Sequence, residues 1–150
     1  MKTYVLLFLF LGFFVNESMA QKQKVKIKNE IATVDGVDYV QWKRDFASNS
    51  ASVYALGSGD ELIFIRWLDY NTSAQNDPAT RVSWVELKFL KQNISCEINS
   101  RGQKALVQFL LENDLIVNGQ LNEEAAKLVV QKFGSNFSAN RPDSVIIINN

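Results

Sequence analysis

The sequence contains no histidine and a single cysteine, Cys96, among its 150 residues. Ser-His and Cys-His catalytic triads both need an imidazole, so neither can form. A lone cysteine makes no intramolecular disulfide, and without histidine a zinc site is disfavoured. The acidic residues also lack the spacing of an EF-hand calcium loop. We therefore predict neither a bound metal nor a cofactor.

The chain also lacks an excess of either charge, because 16 basic residues balance 16 acidic ones. A neutral chain has no general attraction to nucleic acid, so we expect no nucleic-acid partner. Apolar residues make up 47% of the sequence, which is typical of a globular protein rather than a disordered one.

Residues 1–20 contain the one long apolar run, 12 residues that follow shortly after Lys2 and precede the small residues Ser18 and Ala20. This order is typical of a cleavable secretory signal. A helix needs about 20 residues to span a bilayer, so the run is short for an anchor. We expect cleavage after Ala20, which leaves residues 21–150 as one exported domain without stable membrane insertion. An uncleaved N-terminal anchor is the alternative.

Apolar and polar residues alternate with a period of two through much of residues 24–98. Such alternation is typical of strands with one buried face. The pair Asp35-Gly36 between two apolar runs predicts a tight hairpin turn. Seven segments are candidate strands, 24–28, 31–34, 37–44, 51–56, 61–70, 81–90 and 94–98, and we predict an antiparallel β meander of five to six of them.

Beyond the strands the apolar spacing becomes helical and predicts two amphipathic helices, at residues 103–113 and 123–133. Asn122 is placed to cap the start of the second helix, and Gly134 to end it. We expect both helices to pack on one face of the sheet, which makes the fold class α+β. The β-branched run at 145–148 predicts a further strand that returns to the sheet edge.

Aromatic residues of the predicted strands are the candidate ligand-binding residues, because rings on an open sheet face can stack on a sugar or a peptide. Trp84 is the strongest candidate. It shares its strand face with Glu86 and Lys88, which predicts that the ring is exposed. Trp42 and Tyr70 are the further candidates. Core packing and cross-strand pairing are the alternative roles of all three rings.

Paired carboxylates are the groups that remain for acid-base chemistry, and such a pair would support a hydrolase. Each pair in the sequence also has a structural explanation in a turn or at a helix start. We therefore assign no catalytic residue. The pairs are Asp35 with Asp38, Asp60 with Glu61, and Glu123 with Glu124.

Cys96 alternates with Ile94 and Ile98 along a predicted strand. This pattern predicts that the thiol shares their apolar face and is buried and unreactive. An exposed redox cysteine or an intermolecular disulfide is the alternative.

Several segments stand together in this chain: the signal end Ser18-Met19-Ala20-Gln21, a lysine-rich first strand, the hairpin Val34-Asp35-Gly36, and the helix start from Asn118 to Glu124. In this combination the chain resembles small exported proteins of unknown function from Bacteroidetes. The resemblance implies a periplasmic or secreted location and carries no activity.

We interpret the chain as a non-enzymatic secreted or periplasmic module that binds a protein or an envelope glycan. A carboxylate-dependent hydrolase and a carbohydrate-binding module that uses strand aromatics are the alternatives. Two carboxylates converging in a pocket would favour hydrolysis, whereas a flat exposed row of rings would favour binding. The sequence leaves the ligand and the oligomeric state open.

Overall fold

The computed structural model describes residues 23–72 and 78–140, which form a seven-stranded sheet, a two-stranded hairpin and two α-helices. The strands are β1 (Val25–Lys28), β2 (Ile31–Val34), β3 (Val37–Asp45), β4 (Ser50–Tyr54), β5 (Glu61–Asn71), β6 (Arg81–Phe89), β7 (Ile94–Asn99), β8 (Ile116–Val117) and β9 (Gln120–Leu121). The helices are α1 (Gln103–Glu112) and α2 (Glu123–Phe133), with short 3-10 helices at Pro78–Thr80 and Ser138–Asn140. Neither α-helix is long and apolar enough to cross a membrane. The predicted signal at 1–20, its cleavage site and the predicted strand at 145–148 lie outside the described residues.

The strands of the main sheet are antiparallel and lie side by side in the order in which they occur in the chain. This confirms the α+β class and the meander. The main sheet has seven strands rather than the expected five to six, because every alternating segment pairs, including the short strands β1 and β2. The predicted turn joins β2 to β3, with φ of 51° at Asp35 and 87° at Gly36.

The inward face of the sheet, which both helices cover, holds the core. On β6, Val85, Leu87 and Phe89 point to this face and are fully buried, as their alternation predicts. Helix α1 packs beside β1, and α2 packs beside β7. The rings of Phe109 and Phe133 meet edge-on between the two helices, with centroids 5.4 Å apart. Helices and sheet therefore share one apolar core.

Two indoles fasten the start of α1 to the sheet. Trp42 Nε1 donates to Oε1 of Gln103 at 2.9 Å, and Trp67 Nε1 donates to the carbonyl oxygen of Arg101 at 2.7 Å. Each bond satisfies the polar edge of a ring whose body packs on apolar side chains. Trp42 points to the inward face and is only 1% exposed, so the structure gives it a core role rather than an open binding position.

Helix α2 begins where the sequence predicts. Oδ1 of Asn122 accepts a hydrogen bond from the backbone N–H of Ala125 at 3.2 Å, which satisfies one of the free donors of the first turn. Just before this cap, the hairpin β8–β9 turns at Asn118 and Gly119, whose φ angles are 52° and 74°. The turn and the cap together fix where α2 starts.

Candidate binding face

The face of the main sheet that points away from the helices is the candidate site and is called the outer face below. Across β3 to β6, the strand register aligns Lys43, Ser52, Phe64 and Lys88 in one row. Both lysines are exposed, and Phe64 is half-buried. The row therefore presents an apolar ring between two cations.

Tyr54 lies next to this row. The Nζ atom of Lys43 is 4.6 Å from the centre of the Tyr54 ring, which is within the range of a cation–π interaction. Lys43, Tyr54, Phe64 and Lys88 are together called the basic aromatic patch. Alternation within one strand shows which face Phe64 occupies, but its neighbours depend on the register of four strands. For this reason the patch was not predicted from the sequence.

The segment 134–140, which follows α2, crosses from the edge of β7 onto the outer face and is called the strap. The N–H of Ser135 donates to the carbonyl oxygen of Glu97 at 2.8 Å, and the N–H of Ser138 donates to Oε2 of Glu97 at 2.9 Å. At its far end, the hydroxyl of Tyr70 donates to the carbonyl oxygen of Asn140 at 3.3 Å. Glu97 thus anchors the strap through both its backbone and its side chain.

Beneath the strap, Tyr70 and Trp84 meet edge-on with ring centroids 5.6 Å apart. Phe137 of the strap stacks on Trp84 at 6.1 Å with an interplanar angle of 13°. Trp84 is only 4% exposed, so the prediction of an exposed ring is wrong. The ring does lie on the outer face with Glu86, but the strap covers it. The structure brings Tyr70 and Trp84 together and leaves Trp42 on the opposite side of the sheet.

The indole N–H of Trp84 is buried and has no hydrogen-bond acceptor among the residues that the structure describes. Trp42 and Trp67 both use this group, so Trp84 differs from the other two tryptophans. An unpaired buried donor costs about 1–3 kcal/mol. Contact with the strap therefore stabilises the ring by apolar packing and leaves its donor unused.

Glu86 and Glu97 face each other on neighbouring strands and line one pocket of about 390 Å³ beside the strap. This is the arrangement that the hydrolase alternative calls for. However, Glu86 Oε2 accepts a hydrogen bond from Nε of Arg66 at 2.7 Å, and Glu97 is the anchor of the strap. Both carboxylates thus have structural partners, which offset the repulsion between them.

The carboxylate pairs predicted from the sequence lie apart from this pocket, and at least one member of each pair is bound by a neighbouring residue. Asp35 Oδ1 accepts the N–H of Lys24 at 2.8 Å, and Asp60 Oδ2 accepts the hydroxyl of Ser58 at 2.7 Å. Glu123 pairs with Lys91, and the hydrogen bond and charge of that lysine hold the pKa of Glu123 below its usual range. A general acid needs the opposite shift. Among residues 23–72 and 78–140, no three potential ligands converge on a metal position.

Cys96 is 5% exposed, and the prediction of a buried thiol is confirmed. Burial, followed by the charge of Glu97, raises the pKa of the Cys96 thiol from 9.0 to about 11. The thiolate is the reactive form, so the thiol is unreactive near neutral pH.

The chain matches no protein-family model, no curated protein and no solved structure. The outer face itself is therefore the guide to function: an open basic aromatic patch lies next to an aromatic cluster that the strap covers.

Proposed function

We propose that this protein is a non-enzymatic binding module, exported from the cytoplasm, whose outer face binds the acidic surface of a partner protein. The observation that carries the proposal is the position of Phe64 and Tyr54. Both rings are half-buried on the sheet face opposite the helices, with the exposed lysines Lys43 and Lys88 beside them. Export is supported by the signal-like order of residues 1–20 and by the resemblance to exported proteins.

The geometry of the patch suits a flat protein surface. Neighbouring strands are about 4.8 Å apart, so Lys43 on β3 and Lys88 on β6 are separated by about 14 Å. Neither lysine forms an ion pair with another described residue. Aromatic rings at the centre and unpaired charges at the rim are typical of protein interfaces. Two free cations at this spacing favour an acidic partner and speed its approach.

The sharpest test reverses the charge of both patch lysines in the protein with an added affinity tag. The variant Lys43→Glu with Lys88→Glu is compared with the wild type and with a control, Lys104→Glu with Lys132→Glu, which reverses two exposed lysines on the helices. Partners are captured from the envelope fraction of the source cells, and each captured protein is then purified and titrated against all three forms.

We expect an acidic protein that binds the wild type and the helix control equally and binds the patch variant at least about tenfold more weakly, a loss of about 1.4 kcal/mol. Its affinity for the wild type should fall as salt is added, because exposed charges are screened. Equal binding to all three forms would overturn the proposal. Capture of an anionic glycan instead of a protein would replace it with the carbohydrate-binding alternative.

A further inference from the structure

A second concave site lies at the end of the main sheet, away from the strap. Three turns surround it: the turn from β4 to β5, the turn from β6 to β7, and the turn of the hairpin β8–β9. They enclose a cleft of about 550 Å³, which is the size of a site for a small organic molecule. The cleft is lined by residues of these turns and of the strand ends beside them, including Ser58, Asp60, Leu62 and Leu121.

The walls of the cleft are held in place by the backbone. In the turn from β4 to β5, the N–H of Ala55 donates to the carbonyl oxygen of Asp60 at 2.8 Å, and the Ser58 hydroxyl bonds to the Asp60 side chain. Gly59 in this turn and Gly119 in the hairpin have φ of 72° and 74°, which glycine adopts without strain. The cleft is therefore formed before any ligand arrives, which lowers the cost of binding.

The floor and the rim of the cleft differ in chemistry. The floor is apolar and consists of Leu62 of β5, Leu90, which follows β6, and Leu121 of β9. Asp60 and Glu61 bring two carboxylates to the rim. Lys91 is the one cation among the described residues that line the cleft, and it is already paired with Glu123 at 2.8 Å. The cleft thus offers uncompensated negative charge above an apolar floor.

We propose that this cleft binds a small organic cation that carries a primary ammonium group on a short apolar body. The ammonium group bonds to Asp60 and Glu61, and the apolar body covers the leucine floor. A carboxylate ligand would meet repulsion at the same rim, and a neutral one would leave the rim charges without a partner. The cleft adjoins the basic aromatic patch, since Glu61 pairs with Tyr54 across β4 and β5, but its ligand does not depend on the function proposed for the patch.

The test uses three probes of equal length: hexylamine, which is protonated at neutral pH, 1-hexanol and sodium hexanoate. Each is titrated into the ¹⁵N-labelled protein, and backbone amide shifts are followed by NMR. We expect hexylamine to give saturable shifts at residues 58–62, 90–91 and 119–121. Hexanol should bind at least about tenfold more weakly, and hexanoate should leave these amides unchanged.

Asp60→Asn with Glu61→Gln should weaken hexylamine binding by about tenfold or more. The amides keep acceptor oxygens, so the Ser58 bond can persist. The matched control, Asp38→Asn with Glu30→Gln, neutralises two exposed acids elsewhere and should bind like the wild type. Unchanged amide shifts at Trp84 and in the strap, which lie away from the cleft, report that each variant is folded. The proposal is overturned if hexylamine gives no saturable shifts, if hexanol or hexanoate binds as well, or if the neutralised rim binds hexylamine like the wild type.

Discussion

Trp84 and Phe137 lie 53 positions apart in the chain, yet their rings stack with centroids 6.1 Å apart and nearly parallel planes. One residue belongs to the sheet and the other to the strap. This contact explains why a tryptophan on the outer face is shielded from solvent although neither α1 nor α2 lies over it.

Phe137→Ala should release the strap from Trp84. The lost ring contact and apolar burial should lower the free energy of unfolding by about 1–2 kcal/mol. NMR can follow the hydrogen exchange of all three indole N–H groups in the same protein, so Trp42 and Trp67 serve as internal references for Trp84. The Trp84 signal, identified with Trp84→Phe, should exchange much faster than in the wild type. The Trp42 and Trp67 signals should stay slow because both groups donate hydrogen bonds.

The matched control is Phe46→Ala, which removes a phenylalanine that is 79% exposed. This variant should leave the exchange of Trp84 unchanged. If Phe137→Ala also left it unchanged, the strap would not be what protects the indole.

Gln103→Met should destabilise the protein by about 1–3 kcal/mol, because it leaves the buried indole N–H of Trp42 without its acceptor. Gln108→Met is the control on the same helix, since Glu112 at the surface is the only described residue to which the Gln108 side chain bonds. It should change stability by less than about 0.5 kcal/mol. Urea unfolding of the wild type and of both variants measures these differences in stability. Equal midpoints for all three would show that the hydrogen bond between Trp42 and Gln103 contributes nothing.

Local patterns were enough to predict much of this fold. The period-two alternation locates the strands of the main sheet, and the change to helical spacing locates α1 and α2. The turn at Asp35-Gly36 and the cap at Asn122 were predictable because each depends on a few adjacent residues. The number of paired strands in the main sheet was underestimated, and the short strands β8 and β9 were not predicted.

The candidate site was less predictable because it depends on residues distant in the chain. The face that Trp84 occupies follows from alternation, but its cover depends on where the strap runs after α2. The basic aromatic patch likewise depends on the register between strands, and the register of β4 against β5 shifts between Val53 and Tyr54, which no period shows. Phe137, a large apolar residue in a polar segment, was the one local sign that the strap makes contact.

Cys96 should make the protein less stable in alkali. Its pKa is about 11 in the folded protein and near 9.0 when exposed, so above pH 9 the unfolded chain loses this proton first. The free energy of unfolding should therefore fall between about pH 9 and pH 11, by up to about 3 kcal/mol from this group. Urea unfolding at a series of pH values should show a shallower fall for Cys96→Ala than for the wild type.

Tyr39 adds a fall of the same sign in both proteins, since burial raises its pKa to about 12. The difference between the two curves therefore reports Cys96 alone. Parallel curves would mean that the thiol ionises as readily in the folded protein as in the unfolded one.

Asn122→Ala should cost about 1 kcal/mol of stability, because the first turn of α2 loses the acceptor for the Ala125 N–H. Asn122→Asp keeps an oxygen in the same place and adds favourable charge at the helix start, so it should retain the stability of the wild type. Thermal unfolding of both variants checks this pair. A loss of similar size in both would assign the effect to something other than the cap.

Because the main sheet follows the order of the chain, each strand can pair with the one made just before it. Such neighbouring contacts close short loops and favour rapid folding. The inward face, however, has no cover until residues 103–133 have been synthesised. A nascent chain that stops at β7 would expose a wide apolar surface and be prone to aggregate. We therefore expect the last third of the chain to decide whether synthesis yields soluble protein, although it adds no strand to the main sheet within the described residues.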